Sequence, residues 1–274
     1  MSDASYGSIE LASAYEELSE PQFAHGRELI ALLGIRPEDH LLDIGCGTGR
    51  LAAFVVERLG AGGRLVGIDP AAPRIQLAQQ RSDPRLEFRI GRAEDLSSFP
   101  DASVAVAYMN SVLNWIDDRP KAMAEAYRIL KPGGRLGIAT TVRDRPNQLR
   151  LLERRAWRTV RAGGTADESQ HEQAGSKQAA TAQEIRAMLE QAGFSPALVE
   201  VRTFVSTFRD VSQIIAFSQA TAYGQLVPGA TADDYAAFRE AVETLLGGEF
   251  SDCVTDEGIR LERYVLLAVA AKLR

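Results

Sequence analysis

Five short apolar runs, separated by amphipathic segments, constrain what this chain can fold into more than any other feature. The runs lie at residues 40–44, 64–68, 86–90, 103–108 and 135–140. Strand-length runs that alternate with helix-length segments are typical of repeated β–α units around a parallel sheet. Gly60 and Pro120 support helices between the runs, because glycine favours a helix end and proline favours a first helical turn. We therefore predict an α/β fold.

The flanking segments predict helices at the amino-terminal end and late in the chain. We divide the chain into an N-terminal helical segment at 1–35, an α/β core at 36–205, a helical insert at 206–260 and a final strand at 261–274. Residues 162–180 are polar and rich in glycine, glutamine and serine, so we expect a surface loop there. The insert is expected to fold over the sheet and to cover a ligand pocket there.

The charge balance disfavours two classes of partner. The chain has 274 residues, with 31 Lys and Arg against 37 Asp and Glu, and its formal net charge is −6. We expect no nucleic-acid partner, because binding to phosphate backbones relies on a basic surface. No apolar run approaches the ~20 residues that a membrane-spanning helix needs, so we expect no membrane partner.

Cysteine and histidine are too few and too scattered to predict a metal centre. Cys46 and Cys253 are the only cysteines, and His25, His40 and His171 stand in no metal-ligand spacing. Two distant cysteines also exclude a disulfide scaffold and favour a reducing compartment. Because the first residues lack a basic segment followed by an apolar one, we expect a cytoplasmic protein.

A glycine-rich segment follows the first predicted strand, at residues 41–49, with the sequence Leu-Leu-Asp-Ile-Gly-Cys-Gly-Thr-Gly. Glycine allows positive φ and close approach of a ligand, and open α/β sheets bind ligands at the carboxyl ends of their strands. The spacing differs from the G-x-G-x-x-G of dinucleotide loops. Asp43 would repel a pyrophosphate but attract an ammonium group, although it could instead cap the first helix or brace the loop.

A second acid, Asp69, stands at the end of the second predicted strand, 20 residues after Gly49. A carboxylate in this place can accept hydrogen bonds from both hydroxyls of a ribose. Because Pro70 follows, Asp69 could also be a turn residue. An adenosine ligand with a cationic amino-acid end would satisfy both Asp43 and Asp69.

This pairing of acids resembles the class I S-adenosylmethionine-dependent methyltransferases, most closely the ubiquinone/menaquinone-methyltransferase-like group that acts on small molecules. The resemblance covers residues 36 to 141 and continues through Gly-Arg-Ala-Glu-Asp-Leu at 91–96, Met-Asn-Ser-Val-Leu-Asn-Trp at 109–115 and Leu-Lys-Pro-Gly-Gly-Arg-Leu at 130–136. It implies a Rossmann-like, seven-stranded, mostly parallel sheet whose last strand is antiparallel. It also implies an N-terminal helical lid at 1–35 and S-adenosylmethionine as cofactor, with S-adenosylhomocysteine as product.

The resemblance assigns roles to the residues that match the family motifs. Gly45 and Gly47 would flank the methionine portion of the cofactor, Asp43 would lie near its ammonium group, and Asp69 would bind its ribose. One departure concerns the adenine contact, since Arg92 stands where the family often has an acid or amide and has no acceptor atom. Glu94 or Asp95 could take over that role. The full predicted cofactor set is Asp43, Gly45, Gly47, Thr48, Asp69, Pro70, Arg92, Ala93, Glu94, Met109 and Asn110.

The residues proposed for the methyl-acceptor side of the site are chosen only by their position in the sequence. His25, His171 and Arg143 are the candidate catalytic residues, and each could instead be an ordinary surface residue. Four further residues stand where the acceptor could lie, and some of them could equally be core or rim residues: Tyr6, Tyr15, Asn114 and Trp115.

These observations predict methyl transfer by in-line displacement to a small, partly apolar metabolite, with oxygen favoured over nitrogen or carbon as the acceptor atom. Much of the rate can come from positioning, so a shared catalytic residue is not required. An alternative is a protein that binds the cofactor, or a cyclase-type enzyme, without methyl transfer. A nicotinamide-dependent oxidoreductase is disfavoured by the glycine spacing and Asp43. We expect a monomer or homodimer.

Overall fold

The computed structural model describes residues 8–162, 179–222 and 230–273. Two predicted site residues, Tyr6 and His171, lie outside the described residues. The strands are β1 (His40–Ile44), β2 (Arg64–Asp69), β3 (Leu86–Ile90), β4 (Val104–Asn110), β5 (Leu130–Thr141), β6 (Phe194–Phe208), β7 (Val254–Thr255) and β8 (Gly258–Lys272). The helices are α1 (Ile9–Leu18), α2 (Glu20–Leu32), α3 (Arg50–Val56), α4 (Ala72–Ala78), α5 (Arg119–Ile129), α6 (Gln148–Ala162), α7 (Ala182–Gln191), α8 (Val211–Thr221) and α9 (Ala232–Gly247). In this part of the chain, no helix is both long and apolar enough to cross a bilayer.

The described strands form one mixed sheet in the order β3-β2-β1-β4-β5-β8-β6, and the short β7 pairs with β8. Strands β1 to β5 pair in parallel, whereas β8 is antiparallel to both β5 and β6. The predicted Rossmann-like path of seven mostly parallel strands with an antiparallel last strand is therefore confirmed. The two-residue strand β7 is an addition to it.

Strands β6 and β8 are longer than the sequence predicts. Their ladder runs from Phe194 paired with Lys272 to Phe208 paired with Ile259, so the final strand begins at Gly258 and not at residue 261. Strand β5 ends earlier, where Thr141 pairs with Val265. The β6–β8 ribbon therefore extends beyond the carboxyl end of β5, and the predicted insert at 206–260 starts inside it.

The helices late in the chain pack together with α6. Their shared apolar cluster joins residues from α6, α8, α9 and the start of β8. Within it, the Trp157 and Phe238 rings stack with centroids 4.4 Å apart. This cluster includes Leu152, Trp157, Phe208, Phe217, Phe238 and Leu246. Phe208, Phe217 and Phe238 are thus core residues.

The strand register brings the two predicted acids to one face of the sheet. Asp43 pairs with Gly67 of β2 on one side and with Tyr108 of β4 on the other. Side chains alternate between faces along a strand, so Asp69, two residues after Gly67, shares the face of Asp43. The same face packs against α2 and α3 in a cluster that includes Leu41, Leu65 and Val106. Both acids therefore lie at the carboxyl edge of the sheet on its α2 side.

Candidate cofactor and acceptor site

The glycine loop after β1 is held in a conformation that other residues would not adopt easily. Gly45, Gly47 and Gly49 have φ of +76°, +55° and +76°. The amides of Gly45 and Cys46 donate to the carbonyl of Ile68 at 2.7 and 2.9 Å, which ties the loop to the end of β2. A Cβ on Gly45 would lie 2.2 Å from Val112 Cγ2. The loop therefore needs glycine for its backbone angles and for its close neighbours.

Asp69 is buried and braces the glycine loop. Its Oδ2 accepts from the amide of Gly47 at 3.0 Å, and its Oδ1 accepts from the amide of Ala71 at 2.8 Å. Burial raises the pKa of Asp69, while the Arg74 charge and the two amides oppose that rise. The Ala71 bond makes the turn at Pro70 that the Asp-Pro pair predicts. Each carboxylate oxygen has a further lone pair that can accept from a ligand hydroxyl.

Asp43 has an oxygen with no partner. Its side chain is 2% exposed, and Oδ2 makes no hydrogen bond with any described residue. Burial raises the pKa of Asp43 to about 8; Asp69 adds to the rise and Tyr108 opposes it. The alternative roles are not observed, because Gly49 is the N-cap of α3 and Asp69 binds the Gly47 amide. An orphaned buried carboxyl beside a glycine cradle fits a ligand with a cationic end.

Helix α1 closes over the glycine loop. Tyr15 Cε1 lies 3.6 Å from the position that a Cβ on Gly47 would take, and the Arg74 guanidinium lies 4.1 Å from the Tyr15 ring centroid. Glu16 accepts from the Thr48 hydroxyl and forms an ion pair with Arg81, whose Nε donates to the Thr48 carbonyl at 2.8 Å. Tyr15 therefore faces the predicted cofactor loop, and Thr48 links that loop to α1.

The segment after β3 distinguishes between the two acids proposed for the adenine contact. Ala93 is 6% exposed, and the Glu94 side chain is 14% exposed with its Oε2 3.7 Å from Arg92 Nε. Asp95 is exposed, and its Oδ1 accepts from the amide and hydroxyl of Ser97 at 3.2 and 2.7 Å. Glu94 is therefore the better placed acceptor, with Arg92 fixing its carboxylate.

The turn after β4 forms the rim of the sheet. Met109 is fully buried, and Asn110 Nδ2 donates to the Gln22 carbonyl at 3.0 Å while Asn110 Oδ1 is buried without a partner. Asn114 Nδ2 donates to Thr141 Oγ1 at 2.8 Å, and Trp115 is 43% exposed. The predicted residues of this turn thus lie together at the carboxyl edge, between α2 and the end of β5.

His25 is buried, so its interpretation as a surface residue is wrong. Its Nε2 lies 2.9 Å from Ser111 Oγ, and its Nδ1 lies 3.2 Å from Arg263 Nη2. Burial and the Arg263 charge hold the pKa of His25 well below its usual range. Because Arg263 can only donate, Nδ1 must be the acceptor, and the ring has no free nitrogen to take a proton. This arrangement argues against His25 as a general base.

Arg143 does not reach the candidate site. Its Nη1 donates to the Ala179 carbonyl at 3.1 Å, and its Nη2 pairs with Glu184 Oε1 at 2.7 Å on the first turn of α7. Arg143 therefore joins the end of β5 to α7, which argues against its catalytic assignment. The sequence shows the strand end but not the acid that comes to it from 41 residues away.

Sequence reasoning missed Ser111 and Arg263. Arg263 had a visible signal, because residues 261, 263, 265 and 267 alternate onto one face of β8 as Leu, Arg, Val and Leu. A single arginine in an apolar register marks a buried charge. Ser111 had no such signal, since its φ of +63° is not encoded in an obvious turn motif.

Comparison with known proteins finds a known domain that includes the glycine loop and both acids. Residues 42–138 match the family model described as a methyltransferase domain. Trans-aconitate 2-methyltransferase of Deinococcus radiodurans is 30% identical over 50% of this chain and 52% of its own length. Demethylmenaquinone methyltransferase of Symbiobacterium thermophilum is 32% identical over 40% of this chain and 45% of its own length. The chain thus spans about half the length of these curated relatives.

A solved structure extends the likeness to most of the chain. A provisionally named methyltransferase from Bacillus halodurans C-125 covers 92% of this chain and 100% of its own, with a TM-score of 0.61 and 17% identity. That likeness concerns the fold. Among the residues that the structure describes, no group of histidine, cysteine, aspartate and glutamate side chains could hold a metal ion. The family match covers the loop of Gly45 and Gly47 together with Asp43 and Asp69. The domain at residues 42–138 therefore belongs to the class I S-adenosylmethionine-dependent methyltransferases.

Proposed function

We propose that the protein transfers a methyl group from S-adenosylmethionine to a small, partly apolar metabolite. The observation that carries this proposal is the orphaned Oδ2 of buried Asp43, which shares one sheet face with Asp69 beside the glycine loop. A ligand that satisfies both acids has an ammonium group at one end and a ribose at the other. S-Adenosylmethionine has both.

The residues of this chain would hold the cofactor and exclude water. Asp43 would accept from its ammonium group, Asp69 from its ribose, and Glu94 from its adenine amino group. When bound, the cofactor supplies an electrophilic methyl group on a positively charged sulfur. Helices α1 and α2 cover the site, and Glu16 joins α1 to Thr48 and Arg81. Such alignment of nucleophile and methyl carbon can supply much of the rate.

Oxygen is the acceptor atom that this site favours. A phenolate or carboxylate is already deprotonated or readily becomes so, whereas an ammonium group must first lose a proton to a base. In the described part of the site, His25 is bonded through both ring nitrogens and Arg143 is engaged with Glu184. Neither supplies a base. This argument favours oxygen over nitrogen.

The alternative without methyl transfer has weaker support, because the matched relatives are named as methyltransferases. We further propose a monomer or homodimer that acts in the cytoplasm without a nucleic-acid partner. Cys46 and Cys253 are both free thiols, in keeping with a reducing compartment. The division into four segments is part of this proposal, with the insert lying between the end of β6 at Phe208 and the start of the final strand at Gly258.

Incubation with methyl-labelled S-adenosylmethionine and a metabolite extract tests the proposal. We expect label in a small organic product with wild-type protein, and loss of that label with Asp69→Ala. Arg143→Ala is the matched control, because it removes an exposed ion pair with Glu184 and should leave transfer unchanged. Cofactor binding without label in any product would favour the alternative. Tighter binding of NAD than of S-adenosylhomocysteine would contradict both.

Replacing Cys46 with alanine should leave methyl transfer within about twofold of wild type. The thiol is buried in the glycine loop, and burial together with Asp43 and Asp69 holds its pKa well above the usual range. It is therefore protonated and a poor nucleophile. Initial rates of the Cys46→Ala variant at saturating cofactor measure this. A rate loss of tenfold or more would show that the thiol takes part in the reaction.

A further inference from the structure

The Arg263 side chain is a buried cation with no acid beside it. Arg263 is 5% exposed and lies on β8 past the point where β5 ends, under helix α2. Its Nη2 donates to the Pro21 carbonyl at 2.6 Å and to His25 Nδ1 at 3.2 Å, while its Nε is buried without a partner. No carboxylate of a described residue forms an ion pair with it. A buried charge without a counter-charge is costly.

The direction of the hydrogen bonds from Arg263 is fixed. A guanidinium can only donate, so His25 Nδ1 accepts and the proton of the neutral ring sits on Nε2. Nε2 then donates to Ser111 Oγ, 2.9 Å away. Because the serine oxygen accepts from the ring, its own O–H is available to donate to another group. The chain of donors runs from Arg263 through His25 to Ser111.

Ser111 lies at the carboxyl end of β4, next to the predicted cofactor residues. It directly follows β4 and Asn110, a residue of the predicted cofactor set, and it is partly exposed. Its φ is +63°, which is uncommon for a residue other than glycine, and its amide donates to the Ala139 carbonyl at 2.8 Å. Strained backbone of this kind is often found where a side chain must be aimed at a ligand.

We propose that the methyl acceptor is a carboxylate, one oxygen of which accepts the hydrogen bond of Ser111, with His25 and Arg263 as positioning residues behind it. This inference rests on the proposed function and adds a substrate class to it. The negative charge of a carboxylate complements the uncompensated charge of Arg263, and the Phe204 ring beside His25, with centroids 5.9 Å apart, adds an apolar wall.

The reaction balances without a base. The second carboxylate oxygen forms the new O–CH₃ bond, the S–CH₃ bond breaks, and its electron pair stays on sulfur. A carboxylate and a sulfonium thus become a neutral ester and a neutral thioether. No proton moves, so the reaction does not need His25 as a base.

Calorimetry with simple probes tests this proposal. Wild-type protein, with S-adenosylhomocysteine present, is titrated with benzoate and octanoate and with their primary amides. We expect the acids to bind at least about tenfold more tightly than the amides, as for a hydrogen bond to a charged group. Ser111→Gly should lose that preference, and its fold should persist because glycine adopts the φ of residue 111 freely.

A second variant tests the role of the buried charge. Arg263→Met should also lose the preference, and without ligand it should unfold at a temperature no lower than wild type, because it removes an uncompensated cation. Arg202→Met is the matched control, since Arg202 is paired with Glu28 and Glu200. It should keep the acid preference.

The outcomes separate this inference from the proposed function. Equal binding of acid and amide by wild type, binding of neither, or a preference that survives in Ser111→Gly would overturn it. If S-adenosylhomocysteine still binds in those experiments, the cofactor assignment stands. Failure of every variant and of wild type to bind S-adenosylhomocysteine would contradict the proposed function itself.

Discussion

Replacing Asp43 with asparagine should stabilise the protein without cofactor and weaken cofactor binding at least about tenfold. In the wild type, the carboxyl is 2% exposed and one oxygen lacks a partner. Ionising it inside the fold is therefore costly, and an amide avoids that cost. The same amide cannot balance the charge of an ammonium group. Thermal unfolding without ligand and calorimetry with S-adenosylhomocysteine measure the two effects.

The pH dependence of the free energy of unfolding shows whether ionised Asp43 stabilises or destabilises the folded protein. Its pKa is about 8 in the folded protein and near 3.8 when unfolded, so the folded state holds the proton over that range. The stability that this proton contributes is present below pH 4 and is lost as the pH rises toward 8. We expect the free energy of unfolding to fall by about 1 kcal/mol or more from pH 5 to pH 8 in wild type.

In Asp43→Asn, the free energy of unfolding should fall much less between pH 5 and pH 8. The fall that remains should come from Asp69, whose pKa is also raised by burial. Denaturant unfolding at pH 5 and pH 8 is the measurement. Asp144→Asn is the matched control, because Asp144 is an exposed acid in the loop after β5. Parallel pH curves for wild type and Asp43→Asn would show that Asp43 is ionised in the free protein.

Replacing Asp69 with alanine should weaken binding of S-adenosylhomocysteine by about 1.5–3 kcal/mol, the range for hydrogen bonds to a charged group. It should also lower the unfolding temperature, because the amides of Gly47 and Ala71 lose their acceptor. Asp69→Asn keeps one acceptor oxygen and should recover part of the stability. Calorimetry of both variants, with circular dichroism to confirm folding, measures this. Unchanged affinity in a folded Asp69→Ala variant would remove Asp69 from the site.

The features that the sequence predicts best are encoded locally. The alternation of apolar runs and helices indicates the strands, and the spacing of Asp43, the glycines and Asp69 indicates the loop. These signals need no knowledge of distant contacts. The order of the seven strands is implied by the family resemblance over residues 36 to 141, and the structure confirms it.

The features that the sequence could not predict depend on distant partners. His25 is buried because it meets Arg263, which lies 238 positions away. Arg143 pairs with Glu184 outside the site, and Tyr15 faces the glycine loop because α1 packs on α4. The length of β8 depends on its ladder with β6, which continues past the end of β5. Periodicity cannot show such pairings.

A crystal structure of the protein with S-adenosylhomocysteine tests the central claim most directly. We expect the ribose hydroxyls to lie within hydrogen-bond distance of the Asp69 carboxylate and the ammonium group to lie beside Asp43, with the sulfur facing Ser111. A ligand bound in the opposite direction, or away from the glycine loop, would contradict it.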